Sequence, residues 1–227
     1  NLLKRKLARK TLPQDSAALL KNMIESYGKQ DEMVKKQLVQ KNKGLFIADL
    51  IAAQMKPEVS RDQKVGVWQK ETKRRYFENV NFFNEKLAVS PVLFNLYEEY
   101  IEDWTARNGD SLIAACDTIL KKAAGGKENF KWSLYYLSSY FEQKAIPGQD
   151  RAFVHLVEEY YKKGKSWWLT KEQLDNMVRR AELLKRLFVG SVCPDFAAQD
   201  SSGKQISLHQ KIKGLTVLYF WAYDCKH

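Results

Sequence analysis

Cysteine, proline and histidine are scarce in this sequence of 227 residues. Three cysteines, Cys116, Cys193 and Cys225, cannot form a full disulfide framework, and an odd number indicates either a reactive thiol or a missing partner. No apolar run approaches the roughly 20 residues that cross a bilayer, so we expect no membrane span in this stretch. The cysteines and histidines do not fall at zinc spacing, and no Gly-rich phosphate loop is present. We therefore predict neither a metal site nor a cofactor.

Positive charge is in excess, with 38 Lys and Arg against 27 Asp and Glu and a formal net charge of +11. Such a balance can favour nucleic acid or an anionic surface as a partner. The excess lies upstream of Gly190 in short, scattered clusters, and no nucleic-acid motif accompanies it. We interpret it as a solvated helical surface and predict no nucleic-acid partner.

The sequence starts at Asn1 without a basic-then-apolar leader, so we expect a processed chain whose targeting signal is not visible.

Residues 1–188 have the pattern of a helical domain. From Leu93 to Trp104 apolar residues recur at intervals of three and four, after a capping serine and a first-turn proline. Four similar stripes follow at spacings of roughly 20 residues, which predicts helices packed in antiparallel pairs. One of these begins with Thr170 and Gln173, the pattern of a capping box.

The part of the sequence before Leu93 is less regular. Asp15 to about Gln40 indicates one long helix, with Gly28 as a candidate interruption, and 45–55 indicates a short one. Residues 74–90 are rich in aromatic residues and asparagine and give no clear prediction.

The pattern changes after Phe188. Asp200–Gly203 has the residues that a hairpin turn favours, and Ile206 belongs to a short alternating run. Leu215–Trp221 is continuously apolar, which is typical of a central parallel strand buried on both faces of an α/β sheet. We therefore predict two domains, residues 1–188 and residues 189–227, in a chain that is mainly α.

Cys225 lies four residues beyond this predicted strand, where an α/β domain turns into its next helix. A helix N-terminus stabilises thiolate over thiol, and the thiolate is the attacking species in disulfide exchange. A free cysteine is also often a small buried hydrophobe. Position alone leaves both interpretations of Cys225 open.

Several short motifs occur in order near the end of the sequence. They are Gly190–Phe196, Asp200–Lys204, Ile206–Leu208, Leu218–Ala222 and Cys225. Together they resemble the start of the thioredoxin-like proteins of bacterial envelopes, over some 38 residues. The resemblance implies an antiparallel helical domain followed by the truncated start of a thioredoxin-like α/β domain.

In that family a first cysteine attacks substrate disulfides, and a second, three residues on, resolves the mixed disulfide. The resemblance places Cys225 at the attacking position, with Lys226 and His227 following it and Trp221 and Asp224 near the site. The resolving cysteine would come directly after His227, so we expect this stretch on its own to be catalytically inert.

Two positions depart from the family pattern. Asp224 stands where tryptophan is commonest, and an adjacent carboxylate disfavours the thiolate. Cys193 takes the usual alanine position, and we interpret it as structural.

Peroxiredoxins share the leading motif, but their reactive cysteine follows Thr or Ser by three residues and Pro by seven. Ala222 and Leu218 occupy those places, which favours disulfide exchange over peroxide chemistry.

Parts of the helical domain resemble, more weakly, the helical domain of unknown function that often precedes thioredoxin-like domains. These parts are Arg75–Val80, Ser90–Leu93 and Phe153–Tyr161. The combined resemblance implies a thiol–disulfide oxidoreductase of the periplasm or cell envelope, acting on protein disulfide or dithiol clients or with an envelope reductase. The alternative is a helical protein-binding or scaffold module attached to a redox domain, with dimerisation through the helices as a further role.

The remaining histidine and aromatic signals have structural interpretations. His155 lies between apolar helix positions and is expected to be a packed or boundary histidine. Trp167–Trp168 and Tyr135–Tyr136 could line a groove, but packing between helices is favoured because aromatic rings dominate core energetics.

Overall fold

A computed structural model describes residues 14–60, 62, 64–143 and 148–224. The described chain is mainly α, as predicted. Its helices are α1 Gln14–Lys41, α2 Phe46–Ala53, α3 Val65–Arg75, a 3-10 helix Glu85–Val89, α4 Pro91–Glu102, α5 Gly109–Ala123, α6 Lys127–Gln143, α7 Gln149–Leu156, a π-helical turn Val157–Tyr161 and α8 Lys171–Lys185. After α8 come strand β1 Ala197–Gln199, strand β2 Gln205–Ser207 and the one-turn helix α9 Leu208–Lys211.

The apolar stripes predicted between Leu93 and Leu184 form the core of the helical region. Helices α5, α6 and α7 pack against one another, and α7 also packs against α8. Large side chains that are fully buried there include Leu93, Tyr97, Leu112, Ile119, Leu134, Phe141, Phe153 and Tyr161. Burial of this much apolar surface is the main source of stability in the described chain.

Local side-chain contacts fix where these helices begin. Asn108 caps α5 by accepting a hydrogen bond from the Ser111 N–H at 2.9 Å. The capping box predicted for α8 is present: the Thr170 hydroxyl accepts from the Gln173 N–H, and the Gln173 side chain accepts from the Thr170 N–H. Each bond satisfies a backbone donor that the first helical turn leaves without a partner.

Helix α1 runs unbroken through Gly28, so the candidate interruption there is not realised. Its main packing partner is α2. None of the residues from Asp15 to Lys41 is buried.

Helix α3 and the 3-10 helix lie in stretches for which the sequence pattern makes no clear prediction. Three of the four aromatic residues between them, Tyr76, Phe77 and Phe82, are buried, whereas Phe83 is 80% exposed. Phe77 makes edge-to-face contacts with Phe82 and Tyr97, at centroid distances of 6.0 and 5.9 Å. Most of the aromatic content of this stretch therefore reflects packing in the core.

The helix expected around Phe153 to Tyr161 changes type within its length. After Leu156 the chain widens into the π-helical turn, whose i to i+5 pattern continues in the bond from Lys162 N–H to the Val157 carbonyl at 2.9 Å. Val157 and Tyr161 are buried by this turn.

The hairpin predicted around Asp200–Gly203 is present. Strands β1 and β2 pair antiparallel, with Ala197 opposite Ser207. The buried strand predicted for Leu215–Trp221 is not formed: this segment has no regular secondary structure, and Leu215 is 99% exposed. A strand buried on both faces needs strands beside it and helices over it, and the described residues supply neither for this segment.

None of the helices in the described part of the chain is long and apolar enough to cross a membrane.

Candidate functional site

Residues 190–196, which precede strand β1 and are called the leading segment below, are held in place by the carboxylate of Asp195. Asp195 accepts hydrogen bonds from the His209 backbone N–H at 2.9 Å and from the Ser207 hydroxyl at 2.7 Å. These donors stabilise the ionised form and lower the pKa of Asp195 below its ordinary value. The His209 ring adds a second tie, because its Nε2 donates to the Cys193 carbonyl at 2.7 Å.

A second carboxylate closes the hairpin turn. One oxygen of Asp200 accepts from the Ser202 hydroxyl, the Ser202 N–H and the Lys204 N–H, at 2.6, 2.9 and 3.0 Å. The same contacts lower the pKa of Asp200, the Ser202 hydroxyl being the largest cause. Gly203 has a φ of 81°, a conformation that residues with a Cβ rarely adopt. The motif residues of this turn thus act by holding its shape.

The chain beyond α9 contacts the leading segment through one aromatic pair. The rings of Phe196 and Phe220 lie 6.4 Å apart. Trp221, predicted near the site, is 70% exposed, and Asp224 is exposed too. Neither of these two residues is in a regular element.

The predicted attacking residue Cys225 and its neighbours Lys226 and His227 lie outside the described residues. The other two cysteines differ sharply in environment. Cys116 is buried in α5, and burial raises the pKa of its thiol, which makes it a poor nucleophile. Cys193 is a free thiol and is exposed, so it is not part of a buried core; its interpretation as structural rather than catalytic stays a prediction.

One polar cluster in the helical region was not predicted as a unit. Asp117 on α5 binds both His155 Nε2 and the Tyr160 hydroxyl through the same oxygen, each at 2.7 Å. Burial, and then the hydrogen bond to Asp117, raise the pKa of Tyr160. His155 is mostly buried, as expected for a boundary histidine. The partners are 38 or more residues apart in sequence, so no local pattern could have revealed the cluster.

In each of the adjacent aromatic pairs, Tyr135–Tyr136 and Trp167–Trp168, the second ring is packed in the helical region and the first is about half exposed. Tyr136 stacks on Phe94 at 4.9 Å and Trp168 packs against Tyr161 at 6.5 Å, as the packing interpretation predicts. Trp167 and Tyr135 are about half exposed, at 49% and 53%.

Among residues 14–60, 62, 64–143 and 148–224, no group of three or more His, Cys, Asp or Glu side chains is arranged to hold a metal ion.

Comparison with known proteins defines the class of fold. No family model matches the chain, and no curated protein matches it. Among solved structures the fold is similar to that of a thioredoxin-like protein.

That structure is a thioredoxin-like protein from Bacteroides caccae. The TM-score is 0.54 at 15% sequence identity, over 69% of this chain and 56% of the other. This chain therefore corresponds to little more than half the length of its neighbour. Residues 189–227 are 39 of 227, far too few to supply the matched share, so most of the similarity in fold lies in the helical region.

Proposed function

We propose that this chain belongs to a thiol–disulfide oxidoreductase, with Cys225 as the attacking cysteine. The observation that carries the proposal is the polar framework of residues 193–209. Asp195 and Asp200, both part of the motifs that resemble thioredoxin-like proteins, each organise their surroundings through two or more hydrogen bonds. The fold similarity to a thioredoxin-like protein supports the class of protein and not the role of Cys225, because most of it lies in the helical region.

The proposed chemistry is a two-electron exchange. The Cys225 thiolate attacks one sulfur of a client disulfide, forms a mixed disulfide and releases the other client sulfur as a thiolate. A second cysteine, predicted to follow His227, then attacks the Cys225 sulfur and releases the reduced client. The client disulfide is reduced and the cysteine pair is oxidised.

Peroxide reduction is the alternative chemistry that the same leading motif could support. Ala222 provides no hydroxyl and Leu218 no proline at the positions where peroxiredoxins carry these groups. The residues before Cys225 therefore favour disulfide exchange.

The location and partners of the protein are part of the proposal. Residence in the periplasm or cell envelope, with client proteins or an envelope reductase as partners, rests on the resemblance of residues 190–225 alone. Domain boundaries near Val189 and a role of the helices in partner choice belong to the same proposal.

A thiol-modification experiment on the 227-residue chain tests the role of Cys225. The chain is mixed with oxidised glutathione at neutral pH, and adducts at each cysteine are followed by peptide mass spectrometry. We expect Cys225 to be modified first and buried Cys116 not at all, because burial protects Cys116 and disfavours its thiolate. Cys193 is the matched control, since its exposed thiol lies in the same region.

Modification of Cys225 no faster than that of Cys193 would count against the proposal. Turnover is tested separately in a chain that extends beyond His227. There the substitution Cys225→Ser should abolish insulin disulfide reduction, and Cys193→Ser should leave it unchanged.

A further inference from the structure

Helix α1 packs against the short helix α2 but has no buried residue, and several of its apolar side chains are exposed. Its 28 residues make it about 42 Å long. Tyr27, Val34 and Leu38 on it are 56%, 53% and 40% exposed. Helices gain most of their stability in proteins from packing an apolar face, so a helix of this kind is expected to be covered by a partner.

The spacing of apolar residues along α1 identifies the kind of partner. Seven positions follow one another at alternating intervals of three and four residues: Ala17, Leu20, Ile24, Tyr27, Asp31, Val34 and Leu38. This spacing, apolar at every position but Asp31, is typical of the seam of a coiled coil, which packs against another helix with the same repeat. We call these seven positions the α1 seam.

We propose that the α1 seam binds the α1 seam of a second copy of this chain, in the antiparallel orientation. A parallel pair would place Asp31 directly against Asp31 of the other copy, and two facing carboxylates in a seam repel each other. An antiparallel pair avoids this contact.

One antiparallel register also gives the Asp31 carboxylate a hydrogen-bond donor. In it Ile24 faces Val34 of the second copy, and Leu38 faces Leu20. Asp31 then faces Tyr27, whose hydroxyl can donate a hydrogen bond to the carboxylate. The only charged residue of the seam thus meets the only seam side chain that carries a neutral donor.

The flanks of the seam tolerate this register. Lys21 and Lys35 of opposite copies come near each other, but Lys35 is already paired with Asp31 at 2.7 Å, and exposed charges contribute little. Gly28 lies near the centre of the pair with no atom within 4 Å of the place of a Cβ, which leaves room for close approach.

Residues 1–13 are a second occupant to consider. Their charged residues are three lysines and two arginines, with no acidic residue. The flanks of the seam carry Lys21 and Lys35, so this basic segment is poorly matched to it. A second copy supplies its own matching surface instead.

Sedimentation equilibrium of the 227-residue chain over a range of concentrations tests the association. We expect a dimer that becomes monomeric in the double variant Ile24→Glu, Leu38→Glu, because two charges are placed in the seam. The control Asn22→Glu, Gln40→Glu adds the same charge at exposed positions outside the seam and should stay dimeric. Circular dichroism of both variants checks that the helices are retained.

Cross-linking tests the orientation. In a background with Cys193→Ser and Cys225→Ser, chains carrying Leu20→Cys are mixed with chains carrying Leu38→Cys. We expect a disulfide between the two kinds of chain and little within either kind. Efficient linking of Leu20→Cys chains to each other would show a parallel pair and overturn the register.

A parent chain that is monomeric at every concentration would overturn the proposal altogether. If deletion of residues 1–13 then produced a dimer, those residues would be the occupant of the seam. None of these outcomes depends on the redox activity of Cys225.

Discussion

The helical region and residues 189–224 are held together in different ways. Leu134 and its neighbours in the helical region are fully buried, whereas within 189–224 Leu208 is the one described residue that is buried. The hairpin keeps its shape through the polar contacts of Asp195 and Asp200. Polar contacts at an exposed site can define a local shape, but they add little to global stability. Stability is therefore concentrated in the helices, whereas the motifs that predict chemistry lie outside this core.

The largest expected effect comes from a cavity in the helical core. Leu134→Ala removes a side chain with 0% exposure from α6 and should lower the free energy of unfolding by about 3 kcal/mol. Leu215→Ala, at a 99% exposed position, should change it by less than about 0.5 kcal/mol. Urea unfolding followed by helical circular dichroism measures both. Equal destabilisation by the two substitutions would mean that the two regions share one core.

A pair of glycines gives a smaller contrast. Gly148 has a φ of 84°, and a Cβ there would lie 2.4 Å from the Gly109 nitrogen. Gly148→Ala should therefore cost at least about 2 kcal/mol in global unfolding, through backbone strain and a backbone clash. Gly203 has a similar φ of 81° but open space around it. Gly203→Ala should loosen the hairpin, seen in its amide exchange, and leave the urea midpoint unchanged.

The smallest effect is the acid response of the hairpin. The folded pKa values of Asp195 and Asp200 lie below their ordinary 3.8, so the carboxylate contacts stabilise the hairpin above that pH. The stabilisation is lost as pH falls through the folded pKa values. Hairpin NMR shifts should therefore change below about pH 3.8, while core methyl signals persist.

The double variant Asp195→Asn, Asp200→Asn should remove this pH dependence. If the shifts of the double variant still followed the parent titration, other groups would be responsible for it.

Sequence predicted most of the helices between Leu93 and Leu184, because their apolar stripes match the burial that the fold requires. It missed α3, whose Val65 and Val67 are exposed and so give no stripe. It predicted a strand at Leu215–Trp221 because a continuous apolar run indicates burial. Such a run does not show whether neighbouring strands and helices are present to bury it. In the described chain residues 215–221 are exposed, because no other element covers them.

The candidate site was predicted in part. The turn at Asp200–Gly203 was recognised because turn chemistry is local. The role of Asp195 was not predicted. Its carboxylate joins the segment before β1 to Ser207 and to His209 of α9, and these partners are 12 or more residues away in sequence. The cluster around Asp117 was missed for the same reason.

The π-helical turn at Val157–Tyr161 shifts the phase of the helix by accommodating extra chain in one turn. Within this turn the Tyr160 hydroxyl reaches Asp117, and the Tyr161 hydroxyl lies 3.0 Å from that of Ser138. Removing one residue from the turn would return the helix to an ordinary period. The side chains after the deletion would then be rotated by about 100° about the helix axis relative to those before it, so the length of this short stretch matters as much as its composition.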